Sequence, residues 1–288
     1  MAHNALAKLT NELAKIYKIA CLAEVEAIKP GNVHIFADGH GMQVHDFIQS
    51  AEVSSAVIAQ ANLTLGERVF RSIEATWHAV NCNTNLGIVL LCAPIIHTLQ
   101  LIPTTNLRGQ LANVLNELTK DDTQLVFRAI QLAKPAGLGH VSEHDVNEEA
   151  DCSLLEAMQA SSSKDLIARQ YANNFTEVFD EGLPFYQEAF SRWQRPAWAT
   201  TALYLYWLSH YPDSHIARKY GLDTANQVKL EAEKHFYTLA ALENPKQYLP
   251  QLLTFDSLLK TRGINPGTSA DLTVAVLLLH NLAGIGYI

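Results

Sequence analysis

One short stretch of the chain gathers acids, an amine and three imidazoles: Glu24-Val25-Glu26-Ala27-Ile28-Lys29-Pro30-Gly31-Asn32-Val33-His34, then Asp38-Gly39-His40-Gly41 and His45-Asp46. Such groups can move protons, hold phosphate or bind a metal, depending on what faces them. Pro30, Gly31, Gly39 and Gly41 mark a loop between helices, where backbone amides can approach a ligand closely. Two readings stand side by side. The histidines and aspartates could form a transition-metal site, although they lack the helical H-x-x-x-H spacing of common zinc enzymes. Alternatively the loop is a polar surface turn whose glycines and proline serve the backbone alone.

A second group, Asn81-Cys82-Asn83-Thr84-Asn85-Leu86-Gly87, leads into an apolar helix, so its Asn and Thr residues can cap that helix or leave its amides to an anion. The third, Arg262 to Asp271, contains Pro266-Gly267 as a turn and enters another apolar segment. Here Ser269 is expected to cap and Asp271 to fall in the first helical turn, with magnesium binding as the competing role for Asp271. The fourth, Asp213-Ser214-His215-Ile216-Ala217-Arg218, reads locally as a capping aspartate with a short helix behind it. Gly137-Leu138-Gly139-His140 lacks the flanking strand of a dinucleotide fingerprint.

The formal net charge of -8 argues against a nucleic-acid binder, which needs clustered Lys and Arg. An anionic substrate must instead meet a local site made of helix N-termini, a few basic residues and a divalent cation. Cys21, Cys82, Cys92 and Cys152 are widely spaced, so neither a disulfide framework nor a structural zinc site is expected. The first twenty residues carry Lys8, Glu12, Lys15 and Lys18 and lack the apolar core of a signal peptide, which implies a cytoplasmic protein. The apolar run Gly87 to Ile96 is too short to span a bilayer, so no membrane partner is expected.

Helices must position these groups. Leu6, Leu9, Leu13, Ile16 and Ile19 place an amphipathic helix over Asn4 to Ile28. Helical patterns recur near 45–63, 66–80, 86–100, 107–119, 122–133, 146–160, 165–190, 197–209, 224–242, 245–260 and 270–283, without a comparable series of strands. Thr224 and Gln227 suggest a capping box, and Pro184 should bend or divide its segment. Ser161-Ser162-Ser163 is the best candidate for a joint, yet three serines do not make a linker. The expected fold is all-α, a single multi-helical globular domain over residues 1–288.

In order, the four groups resemble the triphosphoribosyl-dephospho-CoA synthase family. The shared blocks are E-V-x-x-x-K-P-G-x-V at Glu24 to Val33, A-T-x-x-x-V-N-x-N-T at Ala75 to Thr84, D-S/T-x-x-x-R at Asp213 to Arg218, and P-G-x-S-A-D-L at Pro266 to Leu272. The resemblance implies an all-helical transferase that joins the triphosphoribosyl group of ATP to dephospho-CoA as adenine leaves. Such a transfer needs a proton acceptor, protonation of adenine and neutralisation of phosphate charge, and among the polar residues these needs assign catalytic duty to Glu24, His40 and Asp271. Nucleotide or phosphate binding falls to Lys29, Gly31, Asn83, Thr84, Asn85, Gly87, Arg218, Gly267 and Ser269, and Mg2+ to Asp38, Asp213 and Asp271. The partners implied are small-molecule nucleotides, and a homo-oligomer is compatible with them. Family members typically read N-T-H-K-G where this chain has Asn83-Thr84-Asn85-Leu86-Gly87. That departure keeps two alternatives open: a different phosphoribosyl donor or acceptor, as in methanopterin-type C1-carrier synthesis, and a helical binding protein without catalysis.

Overall fold

The computed structural model describes residues 2–101, 106–137 and 144–287. The first half contains α1 (Ala2–Glu26), α2 (Val44–Ile58), α3 (Leu65–Val80), α4 (Leu86–Leu101), α5 (Leu107–Asn116), α6 (Lys120–Ala133) and α7 (Leu154–Ser161). The second half contains α8 (Leu166–Ala172), α9 (Leu183–Trp193), α10 (Pro196–His210), α11 (Ser214–Tyr220), α12 (Leu222–Ala241), α13 (Leu249–Thr261) and α14 (Gly267–Ala283). Among the described residues there is no strand; two isolated bridges, His34 with Ala37 and Gly39 with Met42, shape the loop after α1. The all-α expectation therefore holds.

The centre of the fold is α14, which packs against α1, α4, α9 and α10. Its run Leu272 to Leu279 is buried throughout, so it presents apolar side chains on every face, as a helix enclosed by others must. One continuous buried cluster extends from Leu13 in α1 to Leu282 in α14. The short turn through Ser161, Ser162 and Ser163 joins α7 to α8, which pack on each other. Among the described residues no helix is long and apolar enough to cross a membrane.

Several boundaries differ from the sequence reading for identifiable reasons. The box expected at Thr224 does not form, because Gly221, at φ +90°, passes the chain from α11 into a helix that already begins at Leu222. Thr224 Oγ1 donates instead to the Tyr220 carbonyl at 3.0 Å. True capping boxes close at Thr64/Glu67, Thr119/Asp122 and Ser153/Glu156. The last of these explains why α7 starts at Leu154, leaving residues 146–153 as loop. The segment expected over 165–190 breaks instead at Asn174 and Phe175, both at positive φ, and Pro184 lies in the first turn of α9, into which a π turn over Glu177–Gly182 passes without interruption. Leu138, Gly139 and His140 of the glycine pair lie outside the described residues.

Candidate active site

Helix α1 ends at Glu26, and the chain turns sharply through Lys29-Pro30-Gly31. Gly31 adopts φ +86°, and a Cβ there would lie 2.9 Å from Cδ of Pro266. A side chain is thus excluded by conformation and by the close approach of the third group to the first. Asn32 Nδ2 donates to Asn265 Oδ1 at 2.8 Å across the same contact, and Tyr204 Oη donates to the Pro30 carbonyl at 2.7 Å. The Gly31 amide donates to Asp256 Oδ1 at 2.8 Å. Asp256 also accepts from Lys260, and His34 Nε2 stands 3.4 Å away. Burial opposes ionisation of Asp256, but these hydrogen bonds outweigh it and hold its carboxyl below the usual range.

Lys29 is fully buried, its ammonium turned inward onto Glu24 and, at 3.2 Å, onto Asn32 Oδ1. Burial pushes Glu24 up and Lys29 down, and their mutual attraction opposes both shifts. The lysine therefore fixes Glu24 rather than reaching outward. A small cavity between α1, α2 and α4 is bordered by Cys21, Glu24, Ser50, Thr84 and Asn85, so the first and second groups meet there. Ser50 Oγ and Thr84 Oγ1 are 2.6 Å apart, and Asn85 Nδ2 donates to Thr76 Oγ1 at 3.0 Å. Asn83 Oδ1 accepts the Leu86 amide at 3.2 Å, which is a capping role. Leu86 itself is buried.

The third group departs from its expected local roles. Pro266, not Ser269, occupies the N-cap of α14, and Asp271 lies past the first turn, so the helix dipole does not account for it. Ser269 donates through both its amide and its hydroxyl to Asp213 Oδ2, each at 2.8 Å. Asp213 Oδ1 accepts the amides of His215 and Ile216 at 2.9 and 3.1 Å, capping α11 as the sequence suggested. With both oxygens engaged and no exposure, Asp213 joins the third and fourth groups and has no site left for a cation. Asp38 is likewise occupied in part, taking the Val44 amide at 2.9 Å at the start of α2.

Asp271 is different. Its carboxylate is half-buried and has no hydrogen bond or ion pair among the described residues. Burial raises its pKa well above the carboxylate range, with Glu24 and Asp213 adding repulsion and Arg218 opposing it. Gly87 lies directly against this carboxylate, which brings the second group onto the third.

Basic groups collect at the rim. Arg218 pairs with Asp165, the N-cap of α8. Burial lowers the pKa of His215, the charge of Asp213 opposes the shift, and Arg218 and Lys219 add to it. His40 is also held down by burial, so at neutral pH it is the uncharged imidazole. Its Nε2 donates to the Gly31 carbonyl at 2.7 Å, which leaves Nδ1 as its acceptor. Gly267 starts α14 beside the His215 ring. All four groups therefore converge. His215 and Asn265 lie within the third and fourth groups but had no role assigned from the sequence, whereas Asp165, Asp256 and Lys260 were not singled out at all; Asp165 is detectable only as a capping residue, and Asp256 and Lys260 occur within a helix without a motif.

No curated protein matches the chain. A crystal structure from Archaeoglobus fulgidus, of a protein assigned as a triphosphoribosyl-dephospho-CoA synthase, superposes with a TM-score of 0.63 at 24% identity. The alignment covers 84% of this chain and 99% of that one, and at this identity it speaks for the fold. Residues 10–286, nearly the whole chain, match a family described as ATP:dephospho-CoA triphosphoribosyl transferase. On the strength of that match, the chain belongs to the CitG family and is a transferase of the triphosphoribosyl type.

Proposed function

We propose that the enzyme moves the triphosphoribosyl group of ATP onto a hydroxyl of dephospho-CoA, releasing adenine. The observation that supports this most is the half-buried, unpartnered carboxylate of Asp271, set between Glu24 and the basic rim. A carboxylate without a partner of its own is stabilised when a cation and an anionic substrate arrive together. The triphosphate meets Arg218, Lys219, His215 and His40 at the rim. Asp271 together with substrate phosphates fits magnesium, which takes one or two carboxylates and keeps several other oxygen ligands. Asp213 and Asp38 fit it poorly, because backbone amides occupy them. Bound there, the ion neutralises phosphate charge.

In the reaction the acceptor oxygen bonds to the anomeric carbon as the bond from that carbon to adenine breaks. The hydroxyl proton needs an acceptor, and adenine leaves more readily when protonated. Glu24 borders the small cavity, which supports its carboxylate as the base that takes the hydroxyl proton, with Lys29 stabilising its charged form. His40, through Nδ1, is the second proton-handling group. The amides of Leu86, Gly267 and Ser269 are already bonded within the protein, so the rim rather than these termini carries the phosphates.

One feature favours a second reading. Asn85 and Leu86 are buried, so this stretch offers no cation to a triphosphate, and a different phosphoribosyl donor or acceptor, as in methanopterin-type carrier synthesis, would suit such a site. Chromatographic detection of adenine from ATP, with and without dephospho-CoA and magnesium, separates the two. Release that depends on dephospho-CoA supports the first reading. Magnesium-ATP binding without such release supports the second, and no nucleotide binding at all rejects both.

A further inference from the structure

Away from this site, the loop between α6 and α7 carries His144, Asp151 and Cys152, whose ligand-type atoms all lie within 4.8 Å of one another. His144 Nδ1 and Asp151 Oδ1 are 2.8 Å apart. Sequence spacing gave no hint of this, since the residues belong to no C-x-x-C or H-x-x-x-H pattern. The loop is fastened to one helix. Thr123 Oγ1 donates to the Cys152 carbonyl at 2.9 Å, Gln124 Oε1 accepts the Ala150 amide at 2.9 Å, and Gln131 Nε2 donates to the Val146 carbonyl. Beneath it Cys152 packs with Phe127 and Ala157 in an apolar cluster of their own, flanked by Val146 and Ala150.

We propose that His144, Asp151 and Cys152 form a three-ligand site for zinc or a similar borderline-soft divalent cation, with water completing the coordination. The donor set decides the class of metal. A thiolate with an imidazole and a carboxylate suits zinc, whereas magnesium and calcium prefer oxygen alone. The spacing is also suitable: bonds of about 2.0–2.3 Å in a tetrahedron place ligand atoms about 3.3–3.8 Å apart. The pair at 2.8 Å needs only a small opening to admit the ion, and no separation in the cluster exceeds 4.8 Å. The three fastenings from α6 keep the backbone under these ligands in place, as outer-shell contacts do in metal sites. Charge adds to the case. Between Lys134 and Lys164 the chain has no Lys or Arg, while Asp145, Glu148, Glu149, Asp151 and Glu156 surround the loop in sequence. Asp151 is exposed and Cys152 buried, so the ion would link the solvent side of the loop to its apolar underside. This site is independent of the proposed transferase reaction.

Cobalt provides the test, because a cysteine thiolate bound to Co2+ gives a near-ultraviolet charge-transfer band. The full chain, stripped with a chelator, is titrated with cobalt chloride and then zinc chloride. We expect one equivalent of cobalt to produce the band and zinc to abolish it. Cys152→Ser should remove the band. Asp151→Asn, at an exposed position that spares the fold, should keep it but weaken cobalt binding about tenfold or more. Zinc should also raise the melting temperature of the wild type and not that of Asp151→Asn at matched concentration. Absence of the band in the wild type overturns the proposal. So does a band that survives Cys152→Ser, which would assign the metal to another thiol such as the half-buried Cys82, or cobalt affinity unchanged by Asp151→Asn.

Discussion

The backbone of Gly87 rests directly on the carboxylate of Asp271: a Cβ at position 87 would fall 2.5 Å from Cγ of Asp271 and 2.7 Å from Cδ1 of Ile167. Ile167 is in the core, so the half-buried side chain of Asp271 is the neighbour that must give way. Gly87→Ala should therefore displace Asp271. We expect adenine release to fall about 100-fold, the size of effect seen when one charged transition-state contact is lost. Stability should fall by about 1–3 kcal/mol through overpacking. Activity assays paired with urea unfolding would measure both, and an unperturbed activity would separate Asp271 from the chemistry.

Asp271 also has a predictable pH signature. Its folded pKa is raised, first by burial and then by Glu24 and Asp213. The folded state therefore holds a proton that the unfolded chain releases near pH 4. Stability from this group is present below that pH and is lost as pH rises toward the folded value. Asp271→Asn removes the titration. The variant should match the wild type at acid pH and become progressively more stable than it toward neutrality, while losing most adenine release. Melting curves across pH 4–8 without added metal would show the divergence, and parallel curves would contradict the assignment.

Much of the helical fold was legible because periodicity survives burial. Leu13 and Ile16, expected on the apolar face of α1 by spacing alone, are in the core, whereas Ile19 of the same series is exposed. The helix ends were harder. The Thr224 box was a correct local pattern made irrelevant by Gly221, whose positive φ lets one helix follow another without a cap. At the site, the sequence identified the four groups but not their joints. Asp213 was recognised as a cap, yet its second oxygen bonds to Ser269, 56 positions away, and nothing local encodes that partner. Lys29 was expected to face phosphate; its short route back to Glu24 depends on the turn at Pro30-Gly31, which the sequence marks without giving its direction.

That buried pair yields a third prediction. Lys29→Met leaves Glu24 buried and uncompensated, a loss of about 3–5 kcal/mol in comparable pairs. Adding Glu24→Gln removes the stranded charge, so the double variant should recover most of the stability. It should not recover adenine release, because the acid is gone. Urea unfolding of the single and double variants gives the coupling directly. Equal stabilities for both would mean that the pair contributes little to the fold.

Asp213 provides the contrast between structural and metal roles. Four donors reach its two oxygens, from the His215, Ile216 and Ser269 amides and the Ser269 hydroxyl. Asp213→Ala strands these donors in a buried place, and hydrogen bonds to charged groups contribute about 1.5–3 kcal/mol each. The shared cap cannot be lost without loosening the contact between α11 and the start of α14. Ser269→Ala removes one donor and leaves the other three, so it should cost a fraction of that loss. A magnesium ligand would behave otherwise: Asp213→Ala would then shift the magnesium dependence of activity while sparing the melting temperature. We expect the reverse, a large fall in melting temperature for Asp213→Ala, a small one for Ser269→Ala, and the same half-saturating magnesium concentration in Ser269→Ala as in the wild type.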